Sequence, residues 1–456
     1  MKQNEAPKTT WIKNPKAVLS SFDCGGGIVI SDSIITELLC LGDQPKRKVD
    51  VVFDASDLVV LPGLVNTHHH FYQTLTRAFK GAFNKSLFHW LKSLYPVWAK
   101  LEPEDIHIAT QLALAELLLS GCTTTADHHY LFPKGAENSI DAQVAASREL
   151  GMRVTITRGS MSLGEDQGGL PPSEVLQNEE AILYDSARVA SEYHDPEAGS
   201  FLQIALAPCS PFSVTTELMK ETSLLADKLG LRMHTHLAET KDEIDFFAQK
   251  FNTTSLDYLD DLGWLNDRVW IAHGIHFSEE EILRLGENRV GVSHCPSSNM
   301  VLGSGICPAS ELEEVGCPLG IGVDGSASND CSNMIQELRM AFLLQRSKYG
   351  AQNISHLDVL RWGTKGSATC LGRNDIGEIA IRRQADLAFF DLSAPRFSGA
   401  HDPLAALLLS GAHQAKHVMI GGNWRVSDGQ ICDLDIEDLM DRHRSSAEQL
   451  LLRAGY

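Results

Sequence analysis

PGLVNTHHH, residues 62–70, decides the fold: a short apolar run passes through Asn66 and Thr67 into three consecutive imidazoles, His68, His69 and His70. Residues i and i+2 of a β-strand point to the same face, so His68 and His70 pair on one side while His69 points away. Two imidazoles on one strand make a metal clamp, and the clamp is useful only where other strands end nearby. Further strand-like runs are found at 122–127, 153–158, 202–208, 231–236, 269–273, 290–294 and 319–324, each followed by a segment that can hold a helix. Counted with 62–68 they make eight βα units, which predicts a closed α/β barrel of the (β/α)8, TIM-like type. Helices are clearest over 104–120, 215–229, 278–285 and 332–349, and Ser278 followed by Glu281 is a capping-box pattern.

In such a barrel the chemistry lies at the C-terminal ends of the strands. The fifth strand ends HTHLAET, giving His234, His236 and Glu239; the sixth ends at His273 and the eighth at Asp324. His236 and Asp324, from opposite parts of the barrel, complete a His3Asp donor set with His68 and His70. Imidazole nitrogen with one carboxylate oxygen suits Zn²⁺, with Fe²⁺ also acceptable. Zinc lowers the pKa of a bound water from about 15.7 to about 7, which makes hydroxide available at neutral pH. His234, His128 and His129 are read as structural or supporting.

The flanks have a different texture. Apolar runs at 17–20, 27–40, 49–53 and 58–61, and again at 386–391, 417–420 and 424–426, are short strand candidates separated by turn formers. They predict a small β-sandwich assembled from both chain ends, residues 1–60 plus 375–435, around a barrel over 61–374, with a C-terminal helix over 436–456. The hairpin VISDSIITELL (29–39) lacks the Asp-Gly turn expected there.

Composition narrows the partners. The 456 residues carry 39 Lys plus Arg against 59 Asp plus Glu, a formal charge of −20 that repels nucleic acid and anionic lipid. Ten scattered cysteines with no C-x-x-C pair predict neither a disulfide framework nor a Cys-rich zinc site, and they fit a reducing cytoplasm. The N-terminal stretch, Met1 to Lys16, is charged and Pro-containing, unlike a signal peptide, and no run approaches a membrane span.

PGLVNTHHH (62–70), HLAET (236–240), AHG (272–274), SHCPSSN (293–299) and GVDGSASND (322–330) together resemble the amidohydrolase superfamily, in its branch of aromatic-base and triazine aminohydrolases. The resemblance covers nearly the whole chain. It implies a distorted (β/α)8 barrel with a sandwich from both termini, and one divalent metal, most often zinc, on His68, His70, His236 and Asp324. It implies further that Glu239 and His273 handle protons and contact substrate, and that Asp324 delivers a proton to the leaving amine. Gln73, three residues beyond His70, matches a glutamine that reads the purine edge in guanine deaminases. VNTHHHFYQTLTRAF (65–79), LYPVWAKL (94–101), TTTADHHYLFP (123–133), APCSPFSVT (207–215) and DGSASNDCSNM (324–334) resemble the 8-oxoguanine-deaminating members. That resemblance implies conversion of 8-oxoguanine and water to urate and ammonia, with guanine, isoxanthopterin or a triazine as the alternative substrate. Cys209, or the backbone beside it, is expected either near the C8 carbonyl or as a small buried thiol, and Trp98 and Tyr95, placed in the loop after the first strand, either stack on the flat ring or belong to the core. A homo-oligomer is usual in such enzymes and is expected here, with a small heterocyclic base as the partner and no nucleic acid or membrane.

Overall fold

A computed structural model describes residues 8–456. Met1–Pro7, the start of the segment compared above with a signal peptide and of the predicted 1–60 stretch, lies outside the described residues. Six strands precede the barrel: β1 (Thr9–Lys13), β2 (Ala17–Val18), β3 (Gly27–Ser31), β4 (Ile34–Leu39), β5 (Val51–Asp54) and β6 (Leu58–Pro62). Eight parallel strands then close on themselves in chain order: β7 (Leu64–Asn66), β8 (Cys122–His129), β9 (Arg153–Ser160), β10 (Leu202–Pro208), β11 (Arg232–Leu237), β12 (Val269–His273), β13 (Gly291–His294) and β14 (Leu319–Ile321). Four more follow: β15 (Leu387–Asp391), β16 (His417–Ile420), β17 (Asn423–Ser427) and β18 (Gln430–Ile431).

The barrel is the one the eight apolar runs predict, with several strand boundaries moved, two of which bear on its closure. The division between the 58–61 and 62–68 runs falls at Gly63, between the sandwich strand β6 and the barrel strand β7. A Cβ at Gly63 would lie 2.1 Å from the Thr123 hydroxyl, so the chain can cross from one sheet to the other against β8 only at a glycine. The eighth strand stops at Ile321, and Asp324 follows in a loop. Strands β14 and β7 share a single residue pair, Ile321 opposite Asn66. Asn66 reinforces that join, its amide donating to Thr125 Oγ1 at 2.9 Å and its carbonyl accepting the Val323 N–H at 2.9 Å.

Both chain ends build the remaining sheets. Strand β6 runs antiparallel to β15 with Val60 opposite Phe389, inside the six-stranded order β18-β17-β16-β15-β6-β2. This sheet meets the four-stranded β4-β3-β1-β5 through Ile12, Ile28, Ile30, Val60, Phe389 and Met419. Strand β1, TTWIK, was not foreseen: it follows a charged, Pro-containing segment, and only its β-branched residues signal it. The β3–β4 turn needs no glycine, because Asp32 adopts φ 51°, a conformation that short polar side chains tolerate.

One buried ion pair ties barrel to sheet. Arg153 at the start of β9 donates Nε to Asp386 Oδ2 at 2.7 Å and Nη2 to Asp386 Oδ1 at 3.1 Å, and the Gly421 N–H also reaches Asp386, at 2.7 Å. Removing one member strands the other charge in a sealed site, so Asp386→Ala is expected to lower unfolding stability by about 3–5 kcal/mol in urea titration. A loss below about 1 kcal/mol would show that the guanidinium finds water instead.

Candidate active site

The donors converge because adjacent parallel strands end together. In the β11–β12 register His236 lies opposite Ala272 and Leu237 opposite His273, so the two strands deliver His236 and His273 to neighbouring positions at the barrel mouth. His70 Nε2 is 3.2 Å from His236 Nε2, and Asp324 Oδ1 is 3.3 Å from both His68 Nε2 and His70 Nε2. Four ligands about 2.0–2.1 Å from a tetrahedral centre are about 3.3 Å apart. Three of the donor contacts, His70–His236, His68–Asp324 and His70–Asp324, therefore already have the spacing of a coordination shell, and His128 lies in one cluster with His68, His70 and His236.

The tautomers can be worked out from the second nitrogen of each ring. His70 Nδ1 lies 2.7 Å from the His128 carbonyl and His236 Nδ1 lies 2.6 Å from the Cys209 carbonyl. A carbonyl only accepts, so both Nδ1 atoms carry the proton and both Nε2 lone pairs face the centre. His234 Nδ1 likewise donates to the Trp270 carbonyl at 2.8 Å, which leaves its Nε2 to accept from His68 Nδ1 at 2.8 Å. His68 Nε2 is thereby a third lone pair, buried and without a hydrogen-bond partner. Burial holds the His68 and His236 rings well below the ordinary imidazole value, so both are neutral at pH 7. Three lone pairs and a carboxylate facing one another repel unless a cation lies between them. The donor set fits a divalent metal.

The supporting histidines fall into place around this cluster. His234 stacks on Trp270, ring centroids 4.4 Å apart, and orients His68 from behind. His128 stacks on His236 at 4.6 Å and donates Nε2–H to the Ala207 carbonyl at 3.0 Å. His69 lies beyond the end of β7 and turns away from the donors, contacting Ser332 Oγ at 3.0 Å.

Two further groups face the donors. His273 Nε2 is 3.6 Å from Glu239 Oε2 and 3.9 Å from Asp324 Oδ2, while its Nδ1 bonds Asn299 Oδ1 at 2.9 Å. Burial, with the Asp324 carboxylate adding to it, pushes the Glu239 carboxyl up to about 8, where a group can both give and take a proton near neutrality. Ala238, His273 and Asp324 all have positive φ, 54°, 72° and 64°, although none is glycine. Non-glycine residues reach that region at a cost that the surrounding structure must offset, and such residues cluster at functional sites.

A cavity opens over the donors, and Gln73, Cys209, Glu239 and His273 all line it. The Gln73 carbonyl accepts the Ala327 N–H at 3.3 Å, and the amide lies against Gly325, where a Cβ would come within 2.0 Å of it. Glycine at 325 is what admits Gln73 to the site. The Cys209 carbonyl is committed to His236, so it is not free to read a substrate; only its thiol, pushed up to about 12 by burial, faces the cavity as a neutral group.

Trp98 must be corrected. It lies on the helix Leu87–Trp98, not in a loop, and is fully buried against Tyr72, Trp90 and Tyr95, with its indole N–H donating to Thr76 Oγ1 at 3.2 Å. Tyr95 is buried beside it. The aromatic wall of the cavity is Trp90, whose indole N–H donates to the Ala327 carbonyl at 3.2 Å, together with Tyr130 and Phe212.

The amidohydrolase family pattern matches residues 59–425, and the chain belongs to that family. It is 59% identical, over 97% of its length and 99% of the relative's, to the 8-oxoguanine deaminase of Pseudomonas aeruginosa. An isoxanthopterin deaminase from an unknown prokaryotic organism is 33% identical over 90% of this chain and 89% of its own. Among solved structures, the atrazine chlorohydrolase of Arthrobacter aurescens TC1 complexed with zinc superposes with a TM-score of 0.91, at 29% identity, over 96% of this chain and all of that one.

Proposed function

We infer that this chain is a hydrolytic deaminase of 8-oxoguanine, converting the base and water to urate and ammonia. The observation that carries the reading is 59% identity to an 8-oxoguanine deaminase across 97% of the chain. The site chemistry agrees with it. His68, His70, His236 and Asp324 would hold one divalent ion, zinc in this reading because three neutral imidazoles and one carboxylate suit it. When bound, that ion supplies Lewis acidity and a water acidic enough to serve as nucleophile near neutral pH.

The chain's own residues do the rest. Glu239 takes the water proton and gives it to the ring nitrogen beside C2. His273 faces the oxygen on which negative charge develops at the attacked carbon. Asp324, through Oδ2, takes the remaining hydroxyl proton and passes it to the exocyclic amine as that group leaves. Gln73 offers an amide to the lactam edge of the base, one acceptor beside two donors, and Trp90 takes the stacking role expected of Trp98. The ten cysteines are all free, in keeping with a reducing cytoplasm, and an 8-oxoguanine substrate would place the reaction in purine breakdown. No helix among the described residues is long and apolar enough to cross a membrane.

The test is ammonia release from 8-oxoguanine, guanine and isoxanthopterin under identical conditions. Turnover is expected to be fastest with 8-oxoguanine, and Gln73→Ala is expected to lower kcat/KM for it by about tenfold or more, a factor of ten corresponding to about 1.36 kcal/mol of lost transition-state binding. Negligible turnover of 8-oxoguanine beside fast turnover of another base would overturn the substrate.

A further inference from the structure

Three carboxylates are sealed behind the strand-end loops without lining the cavity: Asp127, Glu243 and Glu337. Each accepts a main-chain N–H. Asp127 takes the Phe71 N–H at 2.6 Å, just beyond His70; Glu337 takes the Ser297 N–H at 2.8 Å. Glu243 differs from both because its two oxygens go to successive N–H groups of one turn, Ala238 at 2.7 Å and Glu239 at 3.1 Å. That turn carries the proton acceptor itself.

Ala238 is the left-handed residue of the turn, φ 54°, and without a glycine such a backbone needs an external hold. Glu243, at the start of the helix Lys241–Lys250, provides it: a carboxylate accepting two N–H groups is a strong, charge-assisted clamp. The hold extends to the neighbouring strand end. The Ala238 carbonyl accepts the N–H groups of Ile275 at 2.8 Å and His276 at 3.0 Å, and the Leu237 carbonyl accepts that of Gly274 at 3.1 Å. The loop that follows His273, itself at φ 72°, thus hangs on the turn that Glu243 fixes.

We propose that Glu243 is the positioning residue of the proton-handling pair, holding the Ala238 turn so that Glu239 and His273 meet over the substrate. It touches neither substrate nor metal ligand side chain, and it acts through the main chain of Glu239 and, by way of Ala238, of the loop after His273. The proposal rests on the deaminase reading above. An amide in its place keeps one acceptor but turns an NH2 group against a second N–H, so Glu243→Gln breaks the clamp with little change in volume.

The experiment compares full-length wild type, Glu243→Gln and Glu243→Asp for metal content, thermal melting, and kcat and KM for 8-oxoguanine across pH. Glu243→Gln is expected to keep about one metal per chain and a KM within about threefold, while kcat falls about 10²-fold, the cost of misplacing a reacting group by about 1 Å. The kcat–pH profile should also change shape, since the misplaced group is a proton carrier. Glu243→Asp, which restores two oxygens on a shorter stem, should fall between the two. The proposal is overturned if folded Glu243→Gln keeps kcat within about threefold, or if its loss is reversed by saturating metal. Should that variant not fold, Glu243→Asp decides: reduced kcat with metal retained supports the role, and wild-type kcat removes it. A wild type that releases no ammonia from any of the three bases defeats the deaminase reading instead, and the proposal falls with it.

Discussion

Glu239→Gln lowers kcat for 8-oxoguanine by about 10²–10⁴-fold, the range contributed by a positioned proton carrier, and leaves metal content unchanged. The amide has the carboxylate's shape but cannot take the water proton. Because burial pushes the Glu239 carboxyl up to about 8, its ionisation falls in the working range, and the limb it contributes to the kcat–pH profile should vanish in the variant. Steady-state ammonia release alongside metal analysis is the check. Activity within tenfold of wild type, with the limb intact, would assign the proton transfer to another group.

Chelation of the wild type abolishes turnover, by about 10³-fold or more, and Zn²⁺ restores it; His70→Ala loses turnover and metal together and is not restored. The three lone pairs and the Asp324 carboxylate owe their approach to hydrogen bonds on the far side of each ring, so they are aimed before any ion arrives. Removing His70 deletes the member that is within 3.3 Å of both His236 and Asp324, and with it two of the three close donor contacts. Elemental analysis should give about one metal per chain in the wild type. Folded, metal-free and fully active protein would end the metal-dependent mechanism.

Much of this was legible in the chain because the chemistry sits on the ends of strands or just beyond them. The period of two separates His68 and His70 from His69, and the βα rhythm places HTHLAET, AHG and the Asp324 loop at the same end of the barrel. What hydrogen-bonds behind the ligands was less legible. His234 and His128 look like spare ligands in sequence, and only the Trp270 and Ala207 carbonyls show why they orient other rings. Trp98 was misread for a geometric reason. It is eight residues, about 12 Å of helix axis, beyond Trp90, and the sequence around 80–98 does not say where that helix begins. Leu87, Trp90 and Leu91 share the cavity face at helical spacing, a pattern that identifies Trp90 once the helix is known to start after Ser86. Glu243 leaves no such trace, since one more acidic residue in the first turn of a helix is ordinary.

The closure of the barrel gives the site a second meaning. Strands β7 and β14 meet through one residue pair; His68 and His70 follow the first of them, and Asp324 follows the second. An ion shared by those three side chains would stitch the sheet where its own ladder is shortest. Since it would bind the closed barrel and not the open chain, its binding free energy would be added to that of the fold. Metal supply would then govern how long the molecule survives as well as how fast it turns over, and a starved cell would hold fewer intact copies of it as well as idle ones.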